Sequence, residues 1–483
     1  MQGKKVVRIK SLQGSFTPPG DDLFSHLALI VASLADGEST LKGLAPGGNV
    51  QLTLECLKQL GVEITYNGFR NTASVIGTGA LNEGPGFQTP DLPLDCGSSI
   101  ITAQLMLGLM AGQGIEASLV GDELVSQVSL AVITDPLRRM GTDITIPELE
   151  LEEELAEGQG TGSEEAIESE SDRGTPAKET PVGAESAEDA ITDTLPLHVR
   201  GGNLAGIEFR SEVADPAVKY ALLLAGLKSR SSIEYAEPMR SPDHLEKLLK
   251  SFGASLDTRT TGGGRGEYTV IYDPGMALEG REVDIPGDFS KAVYLIVAAL
   301  LLPRSDLVLK EVGLNSARRE ALNILTRMGG KIEVLDRRTI GTESRGDIHI
   351  KHSKLKGTGV SGRTIRMLFE ELAALTVAAV FAEGETYFKG ALELRMPASD
   401  RISALIHNLK VLNLETGEAP DGLVFRGKSS LDGGVFDSFG DYRVALAFHV
   451  CALASHGDSM ILNYDVIDQY WPGFPEVIEI LKV

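Results

Sequence analysis

Apolar and polar positions along this chain follow two rhythms, and the junction between them recurs. Leu54-Glu-Cys-Leu-Lys-Gln-Leu-Gly-Val-Glu-Ile64 reads as the end of an amphipathic helix, a glycine cap and then a strand. The same phrase returns at Asp135–Ile144, at Leu245–Leu256 around Phe252-Gly253, and at Leu322–Ile332. A fifth copy, Ile402–Leu414, carries Asn413 in the glycine position, the usual second choice for a left-handed cap. The copies lie roughly 70 to 110 residues apart, too far for a solenoid repeat. Short strand-like runs at Tyr268–Tyr272, Asp347–Lys351 and Gly422–Arg426 follow the later copies. Three further helices, Ala292–Leu302, Leu372–Phe381 and Val444–Leu453, are apolar almost all round, so other elements must wrap them. The pattern predicts an α/β protein of several βαβ-type units, each burying a central helix.

One more helix follows the turn Pro18-Pro-Gly-Asp and is apolar from Leu27 to Leu34, ending near Gly37. A glycine turn feeding a helix N-terminus is a ready anion site, because unpaired N–H groups and the positive end of the dipole point outward there. Phosphate sites usually add Lys, Arg or Ser to that turn. Here the added residues are Asp21, Asp22, Leu23 and Leu27.

Composition narrows the class. At 483 residues the chain has room for two or three domains. No apolar run approaches the ~18 residues of a membrane span, and Met1-Gln-Gly-Lys-Lys does not begin a signal peptide. Cys56, Cys96 and Cys451 lack metal-site spacing and cannot all pair, which points to a reducing cytoplasm. The net charge of −23 argues against nucleic acid, but its distribution is uneven. Between Glu148 and Asp193, 16 acids face 2 bases, a net −14 that leaves −9 for the remainder. Residues 148–194 contain no aromatic side chain, and their polarity and like charge predict a disordered acidic insertion.

Several tripeptides then fall into one order. They are Pro19-Gly-Asp with Ser25-His26, Leu94-Asp-Cys-Gly97, Gly121-Asp-Glu123, Val218-Lys-Tyr-Ala-Leu-Leu-Leu-Ala225 and Asp243-His244. Pro286-Gly-Asp288, Ser399-Asp-Arg401, Pro420-Asp-Gly-Leu423 and Asp441-Tyr-Arg443 follow. With these motifs, in this order, the chain resembles the 5-enolpyruvylshikimate-3-phosphate synthase family of enolpyruvyl transferases over everything except the acidic insertion. The resemblance implies two globular domains, each of three repeated units with buried helices, joined by two chain crossings. Residues 1–18 plus 286–483 would form one domain and 19–285 the other, with 148–194 inserted in the second.

The implied activity belongs to the shikimate pathway of aromatic amino-acid and chorismate biosynthesis. Phosphoenolpyruvate is joined to the 5-hydroxyl of 3-phosphoshikimate through a tetrahedral intermediate, and phosphate leaves. Two anionic substrates require fixed cations, and the proton transfers require a carboxylate. By resemblance Glu370 takes the place of the basic aspartate, while Arg401 and Arg443 keep the phosphoenolpyruvate cations. Other pocket positions are substituted. The motif's lysine, serine and arginine fall on Asp22, Leu23 and Leu27, a further arginine on Gln104, and the glutamine under the shikimate ring on Ala217. A second acid falls on Ala398, a C-terminal lysine on Gln469 and a histidine on Tyr442. The family needs no metal or organic cofactor. A cytoplasmic monomer that meets small anionic metabolites, and neither nucleic acid nor membrane, is the corresponding expectation.

Four lost cations, each worth about 10²–10³ in rate, open an alternative. It is a catalytically degenerate relative that binds a ligand or partner, or a transferase with another acceptor and an apolar pocket lined by Leu23 and Leu27. Plainer readings also exist for single residues. Arg401 beside Asp400 and Arg443 near Asp441 suit local ion pairs, and Glu370-Glu371 suits a helix first turn. His26 and Trp471 suit packing, and Lys291 suits solvent more than a restored charge.

Overall fold

The computed structural model describes residues 3–123, 125–147, 193–261, 266–272, 277–396 and 399–483. The expected acidic insertion lies outside the described residues except at its end. There Asp193 is a correction: it is buried and held by Thr134 and by both terminal nitrogens of Arg138.

Among the described residues, six sheets share one plan. A strand pairs in parallel with a second, which pairs antiparallel with a third. In the unit around helix Ile100–Gln113, strand Leu94–Asp95 precedes the helix and Glu116–Val120 follows it, and the two strands pair in parallel. This is a βαβ crossover, as the periodicity predicts.

Two units exchange strands. Gln13–Phe16 precedes helix Asp22–Leu34 yet pairs with Asp306–Gly313, which follows helix Phe289–Leu301. Conversely, Glu282–Asp284 precedes helix Phe289–Leu301 and pairs with Asp36–Lys42, which follows helix Asp22–Leu34. The chain therefore crosses itself where Gly20 and Gly287 form an antiparallel bridge. Asp21 donates its N–H to the Pro286 carbonyl, and Asp288 donates to that of Pro19. Only glycine fits at position 20, since a β-carbon there would collide with the Gly43 carbonyl oxygen.

Six helices are buried on almost every face. They are Asp22–Leu34, Ile100–Gln113, Pro216–Gly226, Phe289–Leu301, Leu372–Val380 and Tyr442–Ala454. The first three belong to one apolar core and the last three to another. The recurrent caps fall where the sequence places them. Gly61, Gly141, Gly253 and Gly329 all have positive φ, and Asn413 takes φ 53° in the same role. Cys56, Cys96 and Cys451 are free and buried.

Candidate active site

The strand exchange delivers two helix N-termini to one place. Both helices open with the same Pro-Gly-Asp phrase, and each aspartate caps its own helix. Asp21 accepts from the N–H of Phe24, and Asp288 accepts from those of Ser290 and Lys291. The backbone amides that a glycine turn offers to an anion are thus partly filled by the chain's own carboxylates. Asp288 also accepts from the N–H of Asp22, 3.2 Å away. Arg318 reaches into this corner, donating to Asp21 and to the Ser290 hydroxyl.

Lys291 corrects the solvent reading. Its side chain is fully buried, with Nζ 2.8 Å from Asp22 Oδ1 and 4.5 Å from the centre of the Tyr470 ring. Tyr470 stacks on Tyr442 with ring centres 3.8 Å apart, and the Tyr442 hydroxyl donates to Glu370 at 2.9 Å. A continuous line of contacts thus joins Asp22 to Glu370.

Glu370 is clasped by Arg443, whose Nε and Nη2 donate to its two oxygens at 2.8 and 2.7 Å. Burial alone would raise its carboxyl. Arg443, Arg401 and Tyr442 outweigh that effect and hold it below the usual carboxylate range. Arg401 is buried and does not pair with its neighbour Asp400. Instead its Nε donates to Asp441 at 3.0 Å and its Nη1 to the Phe369 carbonyl. Asp400 caps the following helix through the N–H of Ser403 and pairs with Arg395. Arg443 also lies 3.5 Å from Asp441, so the local pair expected there forms beside the stronger clasp. Burial works against the Asp441 anion, but Arg401 and Arg443 keep it far below the usual range.

Glu370-Glu371 does stand where a helix begins, with Glu371 at the N-cap of a helix that starts at Leu372, and both acids also make specific contacts. Glu371 accepts from the Ser290 hydroxyl, and burial pushes its carboxyl up to about 7. The Asp22 carboxyl also rises to about 7, from burial and from Asp288 and Asp21, against the pull of Lys291.

The remaining sequence-derived positions are scattered in character. Leu27 is wholly inside the core and Leu23 is half-buried against it, so Leu27 does not line a pocket. Gln104 and Ala217 are half-buried on separate helices, with the Ala217 N–H donating to Asp215. Gln469 is exposed on the short helix Val466–Tyr470. Ala398 lies outside the described residues. Trp471 is buried, as packing required. His26 is buried too. Its Nδ1 bonds Thr53 Oγ1 at 2.7 Å, and burial lowers its pKa to about 3. Arg318 and the Tyr442–Tyr470 stack escaped the sequence reading. Arg318 carries no motif, whereas the repeated Pro-Gly-Asp turn was a usable signal for Lys291.

Comparison with known proteins gives one answer. The EPSP synthase (3-phosphoshikimate 1-carboxyvinyltransferase) family model matches residues 6–172 and 180–478. A 3-phosphoshikimate 1-carboxyvinyltransferase from Desulforudis audaxviator is 36% identical over 481 residues, 99% of each chain. One from Synechococcus sp. WH7803 is 35% identical over 474 residues, 98% of this chain and 97% of that one. Among solved structures, EPSP synthase from Acinetobacter baumannii superposes with a TM-score of 0.80 at 28% identity, covering 100% of this chain and 98% of that one. The enolpyruvyl transferase NikO from Streptomyces tendae, at 16% identity and TM-score 0.68, shares the fold over 99% of this chain and 98% of its own. This chain belongs to the EPSP synthase family, the 3-phosphoshikimate 1-carboxyvinyltransferases of the shikimate pathway.

Proposed function

We propose that this chain transfers the enolpyruvyl group of phosphoenolpyruvate to 3-phosphoshikimate, with Glu370 exchanging protons and Arg401 and Arg443 holding phosphoenolpyruvate. The observation that carries the reading is the convergence of Glu370 and Arg443 in one clasp, with Arg401 sharing Asp441 beside them. A base whose oxygens accept from Arg443 and Tyr442 is a weak base, so substrate must first loosen the clasp. The carboxylate of phosphoenolpyruvate is a natural competitor for the planar fork of Arg443. Once Arg443 turns to the substrate, Glu370 loses its strongest stabilising partner and its basicity rises toward what proton abstraction needs.

A second reading has its own observation. Each of Lys291, Arg401 and Arg443 has a carboxylate of the chain itself as partner, so the cleft is neutralised from within. That suits a member that binds a less anionic ligand or a protein partner without turnover. Phosphate release from phosphoenolpyruvate plus 3-phosphoshikimate separates the two. Turnover abolished by Glu370→Gln supports the transferase, and release equal to the protein-free blank supports the second reading.

The domain division at residues 18 and 286 is supported by the two separate cores and by the crossing at Gly20 and Gly287. A cytoplasmic location is supported by the free cysteines, and the lack of a nucleic-acid partner by the acidic net charge of −23. Among the described residues no helix is long and apolar enough to cross a membrane.

A further inference from the structure

Lys291 is a fully buried ammonium placed between two helix N-termini, and the mechanism above gives it no task. Its surroundings are unusual for a structural lysine. Asp21, Asp22 and Asp288 gather around the crossing, Arg318 stands behind Asp21 and Ser290, and Glu371 closes the far side through Ser290. The Tyr470 ring covers one face of the ammonium, and the next ring in that stack, Tyr442, touches Glu370. The ammonium thus lies two aromatic rings from the carboxylate and arginine of the candidate site.

We infer that Lys291 is the third phosphoenolpyruvate-binding cation of this chain, and that Asp22 holds its charge in place until the substrate anion displaces it. The inference rests on the transferase reading. A lone ammonium without solvent would lose its proton, so some carboxylate must accompany it in the free protein. Asp22 does this through a single oxygen, Oδ1, at 2.8 Å, and an ammonium has three donors to give. A phosphate or carboxylate entering between them replaces one anion with another at the same cation. Asp22 can then retire as a neutral acid, because burial and the nearby Asp288 and Asp21 already bring its carboxyl up to about 7. Glu370 and Glu371 face the same region from their own segment and disfavour a second charge there. Binding is therefore coupled to uptake of a proton by Asp22, and affinity falls as pH rises above 7.

The test is calorimetric titration of the full chain with phosphoenolpyruvate in the absence of 3-phosphoshikimate, so that no turnover adds heat, between pH 7 and 8.5. Three proteins are compared: wild type, Asp22→Asn, and Asp22→Asn combined with Lys291→Met, which removes the cation without stranding an acid. Asp22→Asn should bind at least as tightly as wild type and lose the pH dependence. The double variant should bind at least tenfold more weakly. Wild-type affinity in the double variant, or an unchanged pH slope in Asp22→Asn, overturns the inference. If the double variant does not fold, Asp22→Asn combined with Lys291→Gln replaces it. That pair should also bind at least tenfold more weakly, and wild-type affinity in the folded protein counts against the inference. If wild type gives no heat with phosphoenolpyruvate yet releases phosphate once 3-phosphoshikimate is added, the inference alone fails. If it does neither, the transferase reading fails and the inference with it.

Discussion

Glu370 holds Arg443 through both carboxylate oxygens, at 2.8 and 2.7 Å, so the proposed base and a proposed substrate cation neutralise each other in the free protein. The two groups cannot work until they part. Glu370→Gln breaks the symmetry of the clasp, because an amide offers one acceptor to the guanidinium fork. Phosphate release should drop by about 10²–10⁴. Phosphoenolpyruvate affinity should hold or improve, since Arg443 is released. Parallel loss of both in steady-state kinetics would assign Glu370 to structure alone.

Arg401 presents the opposite case, a buried arginine whose carboxylate partner is also buried. Arg401→Met should leave Asp441 with Arg443, 3.5 Å away, as its remaining cation and cost up to about 3–5 kcal/mol, the range for breaking a buried pair from one side. Removing both charges, with Asp441→Asn added, should cost less than the two single changes together. Urea unfolding of the three variants reads this coupling, and simple additivity would show that Arg401 is not held by Asp441.

Stability should respond to pH with two opposing slopes. Asp22 and Glu371 keep their protons to about 7 in the folded chain, against ~4 when unfolded. Their contribution is full below pH ~4 and is lost as pH rises through 7. His26 and His449 stay neutral down to about 3, against ~6.5 unfolded. Their contribution is present above pH ~6.5 and is lost as pH falls. Glu371→Gln removes one of the acids, so it should raise Tm by a few degrees at pH 8 and change it less at pH 5. Equal effects at the two pH values would contradict the shift.

Helices Ile100–Gln113 and Pro216–Gly226 approach at Gly108 and Gly112. A β-carbon at Gly108 would strike the Ala221 backbone, and one at Gly112 that of Ala225. Gly108→Ala should therefore destabilise by about 1–3 kcal/mol through overpacking, although alanine is the better helix former. A gain in thermal stability would show that the helices can separate without cost.

What the sequence discloses is what local pattern controls. Five cap positions, four of the six buried helices and the family follow from residues that act within a turn or two of themselves. The fate of Lys291 is not local. Its partner Asp22 lies 269 positions earlier, and only the exchange of strands brings them together. Asp193 shows the same limit. It sits at the end of an acidic run that reads as solvated, yet Arg138 and Thr134, more than 50 residues back, bury it. Arg401 carries a neighbouring aspartate that suggests a partner, but helix capping claims that aspartate first. Composition and motif give such residues an identity. The register of distant elements gives them a role.

The strand at Gly3–Val7 pairs antiparallel with Asp458–Leu462, residue 3 against residue 462. On a ribosome these partners emerge 459 residues apart, counted from Gly3 to Leu462 (462 − 3). At about 5–20 residues per second, the first strand waits roughly 20 to 90 seconds for its neighbour. During that interval its backbone donors and acceptors stay open to water, chaperones or other nascent chains. Helices Asp22–Leu34, Ile100–Gln113 and Pro216–Gly226 belong to a core that ends at Ile285 and need not wait so long. The same long-range pairing therefore sets a timetable for birth of the protein, in which one half can mature while the other still lacks its closing edge.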